Sequence, residues 1–175
     1  GTKGAGLLAI DAPAEDFQAQ RGGEQEGGQA AGAEDYPAVA ALFTALLEAE
    51  TRKMFLEPER LRWRGPFEQA ARAALPGLRL VGAEAERLWN TVSLILPQGE
   101  NHRWVTKLDK RGFQVSTGSA CASGAQSPSH VLAALGFPPE EAKRVIRVSA
   151  GWETTEADWQ ALQAALAATA QELAE

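Results

Sequence analysis

Short segments with the character of β-strands alternate along this chain with longer segments of helical periodicity. The strand patterns cover residues 6–10, 91–96, 113–115 and 145–148. Helical spacing covers residues 36–50, 57–74, 102–110 and 138–143, a segment after Pro128, and the stretch from Glu156 to the end. Strands that alternate with helices predict an α/β or α+β fold.

Composition narrows the classes of function. The 175 residues carry a formal net charge of -6, which disfavours a nucleic-acid-binding or anionic-membrane surface, so we expect neither partner. The sequence contains no apolar stretch near the roughly 20 residues that span a bilayer, and it begins without a secretion signal. These features predict a cytoplasmic protein whose partners are small molecules or other proteins.

The chain has a single cysteine and 2 histidines. One cysteine excludes an internal disulfide, and so few soft ligands disfavour a structural zinc site, so we predict no metal. Neither His102 nor His130 is assigned a catalytic role. Cys121 is therefore expected to act as a thiol or through an intermolecular bond.

Small residues surround this cysteine on both sides, in the sequence Ser116-Thr117-Gly118-Ser119-Ala120-Cys121-Ala122-Ser123-Gly124. Nothing bulky shields the thiol, and a thiolate on such a loop could carry sulfur from a buried site to a second protein. On composition alone, an inert thiol in a Gly/Ser loop explains the segment equally well.

The cysteine segment resembles the active-site loop of cysteine desulfurases, which belong to the class V aminotransferases with the pyridoxal phosphate (PLP) fold type I. The matching blocks occur in the family's order, and they are Asn90-Thr91-Val92-Ser93, Thr117-Gly118-Ser119-Ala120-Cys121, Pro128-Ser129-His130-Val131-Leu132, Ala134-Leu135-Gly136, Ile146-Arg147-Val148-Ser149-Ala150-Gly151 and Thr154-Thr155-Glu156. The resemblance covers nearly the whole chain.

The resemblance implies the fold and domain organisation. Residues 1–35 would be the end of the large PLP-binding domain with an inter-subunit loop, and residues 36–175 the small C-terminal α/β domain that carries the cysteine. The start at Gly1 lacks a methionine and matches the interior of the family sequence, so we expect a longer protein.

The resemblance also implies the function. Cys121 would take sulfur from L-cysteine as a persulfide, leaving alanine, and would pass the sulfur to an acceptor protein, as in iron–sulfur cluster assembly. Arg147 would bind the substrate carboxylate, a role that suits a planar guanidinium, although an isolated arginine is more often a surface ion pair. The implied cofactor is PLP and the implied assembly is a homodimer.

Two features depart from the family pattern. The lysine that forms the Schiff base with PLP would lie upstream of Thr2 and Lys3, so this chain should be inactive without an N-terminal half or second chain. In the loop over residues 22–33 the family arginine is replaced by Ala30 and the phosphate-binding threonine by Ala33. The changed loop leaves open a non-catalytic scaffold subunit. A further alternative is a related cystine or selenocysteine lyase, which would share the cofactor and differ in what Cys121 contributes.

Overall fold

A computed structural model of the chain describes residues 4–9, 11, 21–117 and 129–174. The chain divides into two compact units, Gly1–Phe55 and Leu56–Glu175. The predicted boundary between residues 35 and 36 refers to the domains of a longer protein and stays a prediction. None of the helices in the described part of the chain is both long and apolar enough to span a membrane.

The first unit contains a glycine-rich loop and the start of a long helix. Residues 21–28 are all exposed, as predicted, and they include a short 3-10 helix, Gln25–Gly28. Helix α1, Tyr36–Ala74, begins after Asp35, whose carboxylate accepts a hydrogen bond from the Ala38 N–H at 3.1 Å. This is the geometry of an N-cap, and it explains why the helix begins at this point.

Two predictions for this part of the chain are wrong. Residues 4–9 form no strand, and the side chains of Leu7 and Leu8 are exposed. A strand needs a partner for its backbone groups, and the described residues of the first unit contain no second strand. The predicted pair of helices is one helix, because Pro58 and Pro66 each remove a single N–H while the backbone around them stays helical.

The second unit is built around a 3-stranded antiparallel sheet in the order β1-β2-β3. The strands are β1, Arg79–Leu80, β2, Thr91–Ile95, and β3, Val145–Ser149. The helices are α2, Asn101–Asp109, α3, His130–Ala134, α4, Pro139–Ala142, and α5, Glu156–Ala174. The predictions of β2, β3, α2 and α5 are confirmed in position and type.

One face of the sheet covers the main core. Because side chains alternate along a strand, Val92, Leu94, Ile146 and Val148 point to the same face and are buried. Against them pack Phe67 and Ala71 of α1, Trp104 and Leu108 of α2, and Trp159, Leu162, Ala165 and Leu166 of α5. These contacts pack this face of the sheet against α1, α2 and α5.

Residues 113–115 were predicted to form a strand, and they do not. The only pairing in this region within the described residues is an isolated bridge between Ser116 and Arg147. Phe113 and Val115 instead pack against the main core, which holds the segment without a ladder of backbone hydrogen bonds.

An ion-pair cluster joins the end of α5 to α2. The Glu172 carboxylate accepts hydrogen bonds from Lys107, at 2.7 Å, and from Arg111. These bonds, Arg111 first, lower the pKa of Glu172 to about 2. A carboxylate whose pKa is lower in the folded chain stabilises that state above its ordinary pKa, and the stabilisation is lost as the pH falls towards the lowered value.

Replacing Glu172 with glutamine is therefore expected to lower the urea midpoint of the chain at pH 7. The difference from wild type should shrink as the pH falls from about 4.5 towards 2, because the wild-type carboxylate then also loses its charge. Glu86→Gln is the control, since Glu86 is exposed and forms no ion pair within the described residues. A difference that stays constant down to pH 2 would contradict the assignment.

Candidate active site

The opposite face of the sheet is polar at one end. The cross-strand pairs Thr91 with Ser149 and Ser93 with Arg147 place a guanidinium among three hydroxyl-bearing residues. At the other end of this face, Ile95 and Val145 form a small apolar cluster with Leu132 and Ala142. We call the polar end the serine–arginine face, defined by Thr91, Ser93, Arg147 and Ser149.

The guanidinium of Arg147 is available to a ligand. The residue is exposed, and in the described part of the chain no carboxylate forms an ion pair with it. Its backbone is held firmly, because its N–H donates to the Ser116 carbonyl at 2.7 Å and its carbonyl accepts from the Ser116 N–H at 3.0 Å. A fixed backbone with an exposed planar cation can receive a carboxylate.

The described segments before and after Cys121 contact the two ends of the sheet face that lies opposite the main core. Cys121 itself lies outside the described residues, so its predicted role is untested. On one side, Ser116 is bonded to Arg147. On the other, the Ser129 hydroxyl caps α3 by accepting from the Leu132 N–H at 3.4 Å, and Leu132 packs against Ile95 and Val145.

The segment after β3 has a capping role that the sequence reasoning missed. Thr155 and Asp158 exchange hydrogen bonds at the start of α5, with the Thr155 N–H donating to the Asp158 carboxylate at 2.8 Å and the Asp158 N–H to the Thr155 hydroxyl at 3.3 Å. The backbone bond, and then the hydroxyl bond, lower the pKa of Asp158. The Thr154 hydroxyl accepts from the Gly151 N–H at 2.9 Å.

A cavity of about 250 Å³ lies at the end of β3, where Val148, Trp159 and Leu162 of the main core line it together with Ser149. Residues 112–115, which lead to the cysteine loop, form one wall, and Ser149, Thr154 and Asp158 lie on the other side. The cavity therefore adjoins both the segment that carries the loop and the strand that carries Arg147.

Arg60 is a second residue that the sequence reasoning did not single out. It lies on α1 and is buried, with its guanidinium 5.2 Å from the ring centroid of Trp63 and 5.9 Å from that of Trp89. The Trp89 ring in turn contacts the Trp152 ring in a tilted arrangement, with the centroids 5.2 Å apart and the planes at 39°. The three rings are far apart in sequence, so no local pattern could have indicated this tryptophan cluster, defined by Trp63, Trp89 and Trp152.

The side chains of the loop over residues 22–33 do not fit a PLP phosphate. The loop over residues 22–33 contains no hydroxyl, lysine or arginine, and its charged side chains are Glu24 and Glu26, both exposed carboxylates. Ala33 is exposed and offers only a methyl group where the resemblance implies a hydroxyl donor. A phosphate placed here would meet negative charge and no side-chain cation.

The sequence profile of aminotransferase class V matches residues 68–162, slightly more than half of the chain. The chain belongs to the aminotransferase class V family. Among curated class V relatives, a cysteine desulfurase of Rhodobacter capsulatus is 36% identical over 158 residues, covering 90% of this chain and 41% of that protein. Cysteine desulfurase IscS of Clostridium botulinum is 36% identical over 161 residues, covering 90% and 40%.

Solved structures agree with this family membership. A NifS-like protein superposes with a TM-score of 0.68 at 20% identity, covering 90% of this chain and 40% of that one. A NifS-like protein from Rickettsia africae gives a TM-score of 0.66 at 25% identity, with 89% and 40% covered. The predicted α/β fold, that of the C-terminal part of a fold type I enzyme, is confirmed. The chain described here spans about 40% of the length of these relatives.

Proposed function

We propose that this chain is the C-terminal part of a PLP-dependent cysteine desulfurase, in which Cys121 accepts sulfur and Arg147 binds the carboxylate of L-cysteine. The observation that carries the proposal is the backbone pairing of Arg147 with Ser116, at the start of the cysteine loop. Desulfurase names among the relatives support the same reaction.

Chain geometry limits how far the thiol can lie from the guanidinium. Cys121 lies five positions after Ser116, and five residue steps span at most about 18 Å when fully extended. A free amino acid held by Arg147 is therefore within reach of a loop of this length.

The reaction balances between these two residues and the substrate. A bond forms between the Cys121 Sγ and the sulfur of L-cysteine, and the Cβ–S bond of the substrate breaks. The Cβ carbon keeps the electron pair, takes a proton and leaves as part of alanine, while Cys121 is left as a persulfide. An acceptor protein then removes the outer sulfur, and iron–sulfur cluster assembly stays a prediction for its use.

In this proposal, PLP is bound mainly by a part of the enzyme that lies outside this chain. PLP supplies the electron sink that makes a C–S bond labile. Since the loop over residues 22–33 offers its phosphate no side-chain ligand, we propose that the cofactor is held mainly by the part that the relatives possess beyond the region that this chain covers. The predicted homodimer and cytoplasmic location also stay predictions.

Helix α1 supports the need for a further part of the protein. In the first unit its exposed side chains include large apolar ones spaced along the helix, namely Tyr36, Val39, Phe43, Leu46, Leu47, Met54 and Phe55. A soluble monomer rarely exposes a contiguous apolar surface of this kind. We propose that the N-terminal half, or a second chain that replaces it, covers this side of the helix.

A scaffold subunit is the second candidate, and the loop with Ala30 and Ala33 favours it. Because that loop has no cation and no hydroxyl, its side chains would give a neighbouring subunit no phosphate ligand. The exposed guanidinium of Arg147, which forms no ion pair with the residues that the structure describes, favours the enzyme, because a scaffold has no use for a carboxylate site. A cystine or selenocysteine lyase would use Arg147 in the same way and differ at Cys121.

The proposal is tested by joining this chain to the part that its relatives possess and incubating the product with L-cysteine. We expect alanine to form, together with a mass increase of one sulfur atom on the peptide that contains Cys121. A scaffold would give neither product. A lyase would turn over cystine or selenocysteine, and the peptide that contains Cys121 would gain no sulfur.

A further inference from the structure

A buried arginine without a carboxylate partner needs an explanation. Arg60 is 9% exposed, and in the part of the chain that the structure describes no acidic side chain forms an ion pair with it. Its Nε is buried and has no hydrogen-bond partner among the described residues. Burying a charge costs free energy unless other groups replace its hydration. We therefore expect the contacts of Arg60 to serve the structure or the function of the chain.

Those contacts hold a single segment. Nη1 donates to the Thr154 carbonyl at 3.2 Å, and Nη2 donates to the Trp152 carbonyl. Both carbonyls belong to the link between β3, which ends at Ser149, and α5, which begins at Glu156. The faces of Trp63 and Trp89 flank the guanidinium at distances typical of cation–π contacts.

The same link is fixed on its other side by Asn90, the residue that precedes β2. The Ala150 N–H donates to the Asn90 carbonyl at 2.8 Å, and the Asn90 side chain donates to the Ala150 carbonyl at 3.2 Å. Arg60 therefore completes the attachment of the link by tying it to α1. The link in turn fixes the end of β3, where Arg147 and Ser149 lie, and it places Thr154 at the cavity.

We propose that Arg60 is a positioning residue for substrate binding. Its forked guanidinium clamps the carbonyls of Trp152 and Thr154 and so keeps the serine–arginine face and the cavity wall in one arrangement. This inference rests on the proposed function, because it concerns the site in which Arg147 would bind L-cysteine. Arg60 touches no reacting atom, so its loss should weaken substrate binding more than the chemical step.

Replacing Arg60 with lysine keeps the positive charge and changes the geometry of the donors. Arginine can direct two N–H groups at two carbonyls, whereas a lysine ammonium on a shorter stem is a point charge without this fork. Methionine keeps the apolar volume next to the tryptophan rings and removes all the donors. Arg60→Lys should therefore retain the fold and lose part of the positioning, and Arg60→Met should lose it all.

The experiment uses the assembled enzyme, that is, this chain with the part that its relatives possess. Steady-state kinetics with L-cysteine should show KM raised about tenfold or more in Arg60→Met and by less in Arg60→Lys, with kcat changed by about threefold at most. Arg62→Met is the matched control, since Arg62 is an exposed arginine on the same helix, and it should behave as wild type.

Thermal melting of each variant separates positioning from stability. A lower melting temperature in Arg60→Lys with KM unchanged would overturn the inference, as would an equal rise of KM in Arg62→Met. If Arg60→Met fails to fold, the KM of Arg60→Lys decides. When wild type is active and Arg147→Ala raises KM while the Arg60 variants do not, this inference alone fails. A wild type without desulfurase activity would overturn the proposed function as well.

Discussion

Replacing Cys121 with serine in the assembled enzyme is expected to abolish persulfide formation and to lower alanine release from L-cysteine by about 10³-fold or more. A serine hydroxyl does not form an S–S bond with the substrate, so the sulfur has no acceptor. A thiol is also far easier to deprotonate near neutral pH than a hydroxyl. Mass spectrometry of the Cys121 peptide and an alanine assay measure the two quantities.

The control for this variant is Ser123→Ala, which changes another small residue of the same loop. It should keep most of the activity, because neither the thiol nor a charged group is altered. The outcome also separates the alternatives. A lyase would retain part of its turnover in Cys121→Ser, and a scaffold would bind its partner as wild type does. Full desulfurase activity in Cys121→Ser would contradict the assignment of Cys121.

The sequence predicted the elements whose patterns are complete within a few residues. Strand β2, Thr91–Ile95, was predictable because hydroxyl-bearing and apolar residues alternate from Thr91 to Leu94 and Pro97 follows shortly after its end. Helix α5 carries Trp159, Leu162 and Leu166 on one face, and all three are buried in the main core. The residues around Cys121 and Arg147 were recognised because each motif is contiguous.

Features that depend on distant partners could not be predicted in this way. Strand β1 has 2 residues, too few for a periodic pattern, and it exists because Arg79 and Leu80 pair with Ile95 and Leu94. The apolar run before Ile10 has a strand-like pattern, but its described residues have no strand to pair with. Arg60 contacts carbonyls more than 90 positions away, a relation that no spacing rule contains.

Replacing Arg147 with alanine is expected to raise KM for L-cysteine by about 10²- to 10⁴-fold, since a carboxylate would lose two hydrogen bonds to a charged group, each worth roughly 1.5–3 kcal/mol. Fold and loop attachment should survive, because Ser116 bonds to the backbone of Arg147 and the side chain is exposed. The KM of Arg147→Lys should lie between that of wild type and that of Arg147→Ala, because an ammonium keeps the charge without the bidentate geometry.

Arg103→Ala is the matched control for this prediction. Arg103 is an exposed arginine on α2 that forms no ion pair within the described residues, so its loss changes net charge equally and should leave KM near the wild-type value. The comparison separates local binding from a general electrostatic attraction of the anionic substrate, which would weaken equally in both variants and with added salt. An unchanged KM in Arg147→Ala would mean that the guanidinium does not bind the substrate carboxylate. Arg147 would then be a surface charge, and this result would favour the scaffold subunit over the enzyme.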